Sequence, residues 1–488
     1  MRSHLRGRLP AVEHPDGWQE RRVGGRGGTR PRQRTRFIAL HPFRQERGPM
    51  ASRASDFRYS TGDAAVPWAA VGEPNNLDDV MALVEFLVRP KQGQEAEYSS
   101  RLEDVRKAIA ALFQAGAPAS KLTLGEYVKQ VEAAVCEKLK CKYAVMLTNA
   151  TGGFEIAYRF AGLQPGDEVI CPAITFISTI LYPLSIGAKV VFADLDPHTI
   201  NMDPADVARK ITDRTRMIVP VHIGGYPVDM DPIMQLARER DIMVLEDAAH
   251  AFGGWYKGRA IGTIGHFGAF SFHEVKNISS LGEGGILVTN DDRFGPQLSL
   301  ARFVGLDLSK RIPNWLYDVV PLETRRGPAV PCNHSATEIQ AVGLLSQMRR
   351  LEEVIAARRR NAAYLTQRFA DVPGLIPPPG DTDEIRPTWH LYLLQVDPQS
   401  LGADVQTFKA RLAEKGVTNI PHFAPLYKFE LLRRLGYDHD AIAATCPVAE
   451  EVFNHRFTHL PLYPLTDAQL ETMADLVIQT AQEIRASQ

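Results

Sequence analysis

The sequence predicts an α/β fold: a large domain built on a mainly parallel sheet with helices on both faces, and a smaller α+β domain at the C-terminus. Seven short apolar runs occur between residues 143 and 288, and stretches with helical periodicity separate most of them. Apolar strands that alternate with helices are typical of a parallel sheet buried on both faces. The predicted strands are Tyr143–Leu147, Glu168–Cys171, Lys189–Phe192, Met217–Val221, Ile242–Leu245, Ala269–Phe272 and Ile286–Val288.

The chain divides into four predicted segments. Residues 1–49 contain 12 Arg, no Lys and four acidic residues, without apolar periodicity. Such a segment cannot bury enough surface to order itself, so we predict a disordered basic extension. We hypothesise that it is an artefact of a start codon chosen upstream of Met50. Residues 50–123 are predicted as a helical lead-in, residues 124–335 as the large domain, and residues 336–488 as a long helix followed by the small domain.

Residues 304–332, near the end of the predicted large domain, are expected to form a long loop, of the kind that often acts as a lid or binding loop. The side chains of Arg325 and Arg326 would either bind a nucleotide-linked substrate or simply be exposed to solvent. The elements predicted beyond it are a long helix at about Thr337–Phe369, a strand at Leu391–Val396, and helices at about 404–415 and 466–486.

Composition limits the classes of function. The formal net charge of −1 gives no electrostatic reason to expect nucleic acid or an anionic membrane as a partner. We find no apolar run of about 18 residues, so no transmembrane helix is expected. The five scattered cysteines predict neither a zinc site nor a disulfide framework, and a reduced, cytoplasmic setting is the simpler interpretation.

The first motif with chemical potential is Val244–His250, in which an apolar strand ends at Asp247 and small residues follow. Ligands bind at the carboxyl ends of strands in parallel sheets. A carboxylate there can pair with a cationic ring nitrogen and keep it protonated. By itself, an Asp at a strand end is more often a cap or a salt-bridge partner.

The second motif carries a serine and a lysine. An apolar strand leads to Ser271, Lys276 follows on a loop, and a glycine-rich turn comes after it. A desolvated lysine amine can act as a Schiff-base nucleophile, and a serine hydroxyl can bind phosphate. A surface lysine beside a hairpin is the ordinary structural alternative.

The third motif, Leu147–Gly153, lies between a strand and a helix predicted at Phe154–Phe160. Its small residues let the backbone approach a phosphate, and the first N–H groups of the helix point towards it. Taken alone, the motif is an ordinary strand-to-helix turn.

The order and spacing of the three motifs resemble the DegT/DnrJ family of sugar aminotransferases, which use pyridoxal 5'-phosphate (PLP) and have the three-layer fold-type I architecture. The resemblance runs from about Leu124 to the C-terminus. The further residues that carry it are Pro165–Ile170, Thr175-Phe176, Pro220–His222, Gly225, Glu246–His250, Ser271–His273, Lys276-Asn277, Gly282–Gly285, Asn333, Glu338–Ala341 and His459–Pro464.

This resemblance implies a role for each residue of the candidate site. Lys276 would hold PLP as a Schiff base and move the proton, and Asp247 would pair with the ring nitrogen. Phe176 would stack on the ring, and His250 would lie near its phenolic oxygen. Ser271, Asn149, Ala150 and Thr151 would hold the phosphate. Asn333 would reach the phosphate from the other subunit, because sites in this family form at a homodimer interface.

The implied reaction moves an amino group from glutamate or glutamine to a keto-sugar, which is expected to be nucleotide-linked, or to a keto-cyclitol. Two alternatives are a PLP-dependent sugar dehydratase and a non-catalytic regulator that binds PLP or a sugar. Relatives of the first kind replace the lysine by histidine, whereas this chain keeps Lys276.

Three departures from the family pattern affect what surrounds the cofactor. Relatives have Gly-Thr-Ala at the positions of Ala150-Thr151-Gly152. They have Asn-x-Arg at the positions of Asn333-His334-Ser335. They have Tyr at the position of Gly224. We expect the last two to change the contacts with substrate more than those with cofactor.

Overall fold

The computed structural model describes residues 74–116, 122–307, 319–417 and 423–487. The predicted basic extension, residues 1–49, lies outside this range. The lead-in contains helices α1 (Leu77–Leu87) and α2 (Glu95–Ala115), as its periodicity predicts, and α3 (Glu126–Leu139) follows. None of the helices in the described ranges is both long and apolar enough to cross a membrane.

The large sheet contains the seven strands that the apolar runs predict. The elements of this region, in chain order, are β1 (Tyr143–Leu147), α4 (Ala150–Phe160), β2 (Glu168–Pro172), α5 (Leu181–Ser185), β3 (Lys189–Ala193), α6 (Pro204–Lys210), β4 (Thr215–Ile218), α7 (Met230–Glu239), β5 (Met243–Asp247), β6 (Trp255–Tyr256), β7 (Arg259–Ala260), β8 (Phe267–Ser271), β9 (Gly285–Thr289) and α8 (Leu298–Arg302). The strands of the sheet lie in the order β1-β9-β8-β5-β4-β2-β3. Within it, β9 runs antiparallel to its two neighbours, and β8, β5, β4, β2 and β3 pair in parallel.

The sheet is covered on both faces, which makes the large domain three layers thick. Val145 and Leu147 of β1 belong to one hydrophobic core together with Phe154 of α4. Met146, between them, belongs to a second core together with Val131 of α3. Because successive side chains of a strand point to opposite faces, this alternation confirms the predicted architecture of helices, sheet and helices.

The prediction of an unstructured loop at residues 304–332 is wrong for part of that range. Strands β10 (Leu322–Thr324) and β11 (Gly327–Ala329) form a hairpin. Pro328 within β11 obscures the strand pattern, and the turn depends on Gly327, whose φ is +104°. Residues 308–318 of the predicted loop lie outside the described residues.

Arg325 and Arg326 lie in the turn of this hairpin and are fully engaged in structural contacts. Arg325 pairs with Asp241, just before β5, and Arg326 pairs with Asp167, just before β2. Both arginines therefore lie at the amino ends of the strands. The suggestion that they contact a substrate is wrong, because ligands of such sheets bind at the opposite, carboxyl edge.

The long helix predicted at Thr337–Phe369 is two helices, α9 (Glu338–Met348) and α10 (Leu351–Phe369), with a turn at Arg349 and Arg350. No Gly or Pro marks this turn, so the sequence gives no breaker signal. The two helices pack differently: Ala341 and Leu344 of α9 join the core that contains α3, whereas Leu365 and Phe369 of α10 join a third, C-terminal core.

The C-terminal core is formed by α10 with a small antiparallel sheet and several helices. The remaining elements are β12 (Leu375–Ile376), β13 (Ile385–Arg386), β14 (Tyr392–Val396), α11 (Pro398–Leu401), α12 (Val405–Glu414), α13 (Glu430–Arg434), α14 (His439–Ala443), α15 (Pro447–Glu451), β15 (Phe457–Leu460) and α16 (Asp467–Ala486). Strands β12, β14 and β15 pair in that order, and β13 pairs with the β6–β7 hairpin of the large domain. The domain boundary at residue 335 stays a prediction.

One glycine determines how closely β9 approaches the start of α4. Gly285 pairs with Leu147 of β1 on one side and with Ser271 of β8 on the other. A Cβ atom at position 285 would lie 2.2 Å from the carbonyl carbon of Asn149 and 2.4 Å from its oxygen. These are backbone atoms, which cannot rotate away.

We therefore expect Gly285→Ala to lower the free energy of unfolding by about 1–3 kcal/mol, the usual cost of overpacking a close contact. Urea unfolding of the purified protein measures this change. Gly380→Ala is the matched control, because nothing lies within 4 Å of a Cβ atom at that position. Equal unfolding midpoints for the two variants would show that the close approach of β9 to α4 is not needed for the stability of the fold.

Candidate active site

The three sequence motifs meet at one edge of the large sheet. Asp247 ends β5 and pairs in register with Ala269 of β8, two residues before Ser271. Ser271 in turn faces Gly285, which faces Leu147, the residue before the turn into α4. The register therefore brings Asp247, Ser271 and the start of α4 to the crevice where such sheets bind ligands.

The turn after β1 forms a concave surface of backbone N–H groups. The helix predicted from Phe154 begins earlier, at Ala150, and Asn149 caps it by accepting a hydrogen bond from the Gly152 amide at 3.0 Å. Ala150 and Thr151 consequently occupy the first helical turn, where N–H groups have no partner within the helix. The absence of a side chain at Gly285 keeps this turn close to Ser271. The arrangement suits an anionic group such as a phosphate.

Asp247 is a buried carboxylate, with 4% of its surface exposed. Its Oδ2 accepts a hydrogen bond from the Thr179 hydroxyl at 2.7 Å, and its Oδ1 accepts one from the Ala249 amide at 3.2 Å. Burial raises the pKa of Asp247, while the hydrogen bonds from Thr179 and Ala249 and the charge of Lys276 act in the opposite direction. Thr179 is thus a site residue that the sequence analysis missed.

Lys276 lies on the loop that follows β8, where its amide donates to the His273 carbonyl at 2.9 Å. Burial lowers the pKa of its amine to about 8, and the charge of Asp247 partly opposes that shift. Each of the two groups acts on the pKa of the other, so the amine and the carboxylate are close enough to interact electrostatically. A lysine with a lowered pKa is a better nucleophile near neutral pH than an exposed one.

His250 is fixed in one tautomer by the glycine turn opposite. Its Nδ1 accepts a hydrogen bond from the Gly224 amide at 3.2 Å, so the proton of the neutral imidazole is on Nε2. The ring also stacks on His390, with centroids 4.5 Å apart and planes tilted by 35°. The hydrogen bond from Gly224 and the ring contact with His390 together fix the orientation of the His250 ring.

Phe176 precedes a short 3-10 turn, Ile177–Ile180, and 60% of its surface is exposed. A large apolar ring exposed to this extent is available to stack on a flat ligand. Thr179 lies in the same turn, so one short segment carries both the predicted stacking residue and the hydroxyl that contacts Asp247. No signal in the sequence identifies Thr179, because its contact with Asp247 joins two segments 68 positions apart.

Residues of the C-terminal part, which the sequence analysis did not assign to the site, hold the lysine loop. The side-chain amide of Asn277 donates to the Thr388 carbonyl at 3.0 Å, and its Oδ1 lies 3.1 Å from Nδ1 of His390. The buried Arg358 donates to the His390 carbonyl at 3.1 Å. Lys276 is thereby positioned by contacts that cross from the large sheet to the segment before β14.

Asn333 is exposed, and its Oδ1 accepts a hydrogen bond from the Ser335 hydroxyl at 2.7 Å. The next residue, His334, packs its ring over Gly152 in the first turn of α4 and pairs with Glu155 at 3.0 Å. The segment thus lies beside the turn that forms the anion site. The reach of Asn333 to the phosphate of another subunit stays a prediction.

The side chains and backbone of this crevice fit PLP. The turn at α4 with Ser271 suits its phosphate, the Asp247 carboxylate suits its basic ring nitrogen, and the Lys276 amine suits its aldehyde. Phe176 offers an exposed aromatic face, and His250 follows three residues after Asp247 at the same edge.

Comparison with known proteins gives the same cofactor and reaction class. Residues 103–478 match the model of the DegT/DnrJ/EryC1/StrS aminotransferase family. The chain is 35% identical over 370 residues to the spore coat polysaccharide biosynthesis protein SpsC of Bacillus subtilis strain 168, covering 73% of this chain and 91% of that one. It is 32% identical over 330 residues to the GDP-perosamine synthase of Caulobacter vibrioides, covering 67% and 84%.

A solved structure supports the fold. The pyridoxamine 5'-phosphate (PMP) form of the putative sugar aminotransferase Spr1654 from Streptococcus pneumoniae superposes with a TM-score of 0.66 and 27% sequence identity. The match covers 75% of this chain and 94% of that one. The same protein is also known in a PLP form. The architecture and the match over most of the chain agree: this PLP-dependent aminotransferase belongs to the DegT/DnrJ/EryC1/StrS aminotransferase family.

Proposed function

We propose that the protein transfers an amino group from glutamate or glutamine to a keto-sugar or keto-cyclitol, with Lys276 as the residue that binds the cofactor covalently. The observation that carries the proposal is the register of the sheet, which sets the buried Asp247 beside β8, the strand whose following loop carries Lys276. Burial lowers the pKa of that amine to about 8. The name of the GDP-perosamine synthase among its relatives supports a nucleotide-linked sugar as the acceptor.

In the proposed reaction, residues of the chain bind and orient the cofactor and the substrate, and they hold and move protons. The cofactor, when bound, supplies an electron sink for the bonds around the substrate carbon. The Lys276 amine attaches the cofactor and then, once released, carries a proton from the substrate carbon to the cofactor. Asp247 stabilises a protonated ring nitrogen, and Asn149, Ala150, Thr151 and Ser271 anchor the phosphate. Phe176 limits the tilt of the ring, and His250 donates to its phenolic oxygen.

Two other functions agree less well with this site. A sugar dehydratase of this fold would have histidine in place of Lys276. A regulator that only binds PLP or a sugar would not need an amine of lowered pKa beside a buried carboxylate, since such pairs are characteristic of catalytic sites. The reaction with the amino donor alone distinguishes these two functions, because only an enzyme would convert the donor to its keto acid.

We further propose a homodimer in which Asn333 of each subunit completes the site of the other. The exposed position of Asn333, beside the turn at α4, supports this arrangement. We also retain the cytoplasmic setting, which the five free cysteines support.

Adding glutamate or glutamine to the cofactor-loaded protein is expected to bleach its visible absorbance band and to release about one equivalent of keto acid per subunit, as ping-pong transfer requires. Lys276→Ala should abolish both signals, because the attachment point and proton carrier are lost. A stopped-flow spectrum with a keto acid assay measures them. Lys257→Ala, at an exposed lysine paired with Asp231, is the matched control. Absence of keto acid with every amino acid tried would favour the binding protein.

Covalent capture of PLP by the apoprotein is expected to accelerate as the pH rises through about 8, because the neutral amine of Lys276 is the attacking form. The charge of Asp247 raises the pKa of Lys276, so Asp247→Asn should lower that pKa and move the profile to lower pH. The growth of the visible band after mixing, followed between pH 6 and about 10, measures the profile.

Asp231→Asn is the control for this experiment, since Asp231 pairs with Lys257 and Arg259 away from the crevice. Its profile should coincide with that of the wild type. A shift of the Asp247→Asn profile to higher pH would contradict the assignment of the pair.

A further inference from the structure

The carboxylate of Asp247 is held by a hydroxyl to which neither the family resemblance nor the proposed mechanism gives a role. Thr179 is fully buried, and its Oγ1 lies 2.7 Å from Oδ2 of Asp247. The residue belongs to the turn Ile177–Ile180, which packs against the end of β5 without being part of the sheet. A hydrogen bond to a charged, buried group is among the stronger ones in a protein.

The Thr179 hydroxyl has one proton and three oxygen neighbours. Besides Asp247, the carbonyl of Phe176 lies 3.0 Å away and the hydroxyl of Thr175 lies 3.3 Å away. One proton can serve one acceptor at a time, and an ionised carboxylate at the shortest distance is the strongest of the three. When Asp247 is ionised, Thr179 therefore donates to it.

Protonation of Asp247 would reverse this bond. A neutral carboxyl group can donate its own proton to Oγ1, and the Thr179 hydroxyl can then turn to the Phe176 carbonyl. The direction of the hydrogen bond thus depends on the charge of Asp247. The same hydroxyl links that charge to the backbone of Phe176, the residue proposed to stack on the cofactor.

We propose that Thr179 is a positioning residue, which keeps Asp247 ionised and orients its carboxylate towards the ring nitrogen of the cofactor. The proposal rests on the role given to Asp247 in the proposed function. No bond forms or breaks in this role: the proton stays on the ring nitrogen, and the carboxylate that stabilises it is held by the Thr179 hydroxyl and the Ala249 amide.

Three substitutions separate this role from simple packing. Thr179→Val preserves the shape of the side chain and removes the hydroxyl, and Thr179→Ser preserves the hydroxyl and removes the methyl group. Thr480→Val is the matched control, since Thr480 is equally buried and donates to the Leu476 carbonyl at 2.7 Å within α16, in the C-terminal core. Thr179→Ala is a second variant without the hydroxyl, should the valine prevent folding.

The first measurement is the chemical shift of the ring nitrogen in protein loaded with PLP that carries ¹⁵N in the ring. The wild type and Thr179→Ser should give the shift of a protonated nitrogen. Thr179→Val or Thr179→Ala should give one displaced towards the unprotonated value, or one that titrates at lower pH. This signal depends on the charge at the ring and not on turnover.

The second measurement is the single-turnover rate with the amino donor. Loss of a hydrogen bond to a charged group corresponds to a roughly tenfold to hundredfold slower step. The Thr179→Val rate should fall by that factor with little change in donor KM, while Thr179→Ser and Thr480→Val stay within about threefold of the wild type.

The proposal is overturned if Thr179→Val and Thr179→Ala keep the ring nitrogen protonated and lose no more rate than Thr480→Val. A wild type that fails to bind PLP, or whose ring nitrogen is unprotonated, would instead overturn the role of Asp247 itself. The two failures are therefore distinguishable.

Discussion

The buried carboxylate of Asp247 is the constraint on which the rest of the site depends. An ionised carboxylate removed from water is strongly destabilised unless hydrogen bonds and an opposite charge compensate it. The compensation comes from three separate parts of the chain: the hydroxyl of Thr179, the amide of Ala249 and the amine of Lys276. The turn after Phe176, the end of β5 and the loop after β8 must therefore be in their native positions together.

The neighbouring residue shows how strand geometry separates structure from chemistry. Glu246 is also fully buried, yet its carboxylate accepts hydrogen bonds from the amides of Gly262, Ile264 and Gly265 and pairs with His222. Successive side chains of β5 point to opposite faces, so Glu246 anchors the segment that leads into β8, while Asp247 faces the crevice. Two adjacent acids in one motif thus have different functions for a geometrical reason.

The sheet could be predicted from the sequence because each of its strands is an apolar run buried on both faces. The local motifs also located Asp247 and Ser271 at the carboxyl edge of the sheet, as the register of β5 and β8 shows, while their roles stay predictions. The start of α4 was misplaced because Gly152 and Gly153 suggested a turn, although Asn149 caps a helix that contains them. Arg325 and Arg326 suggested a ligand contact, and only the position of the hairpin shows that they pair with acids at the far edge.

Residues that act through tertiary contacts could not be identified in this way. The bond from Thr179 to Asp247 spans 68 positions, and the contact of Asn277 with His390 spans 113. No periodicity encodes such pairings, because they depend on where separate elements meet after folding. Sequence patterns therefore indicate candidate chemical groups better than they indicate the residues that contact those groups in the fold.

The position of Lys276 depends on the C-terminal part as much as on the large sheet. Thr388 donates from its hydroxyl to the His250 carbonyl at 2.6 Å, and its own carbonyl accepts from Asn277, next to the lysine. A Cβ atom at Gly225 would lie 2.1 Å from that Thr388 hydroxyl oxygen, so the glycine turn that fixes His250 also accommodates this segment. Any shift of the segment before β14 would change the positions of His250 and Lys276 together.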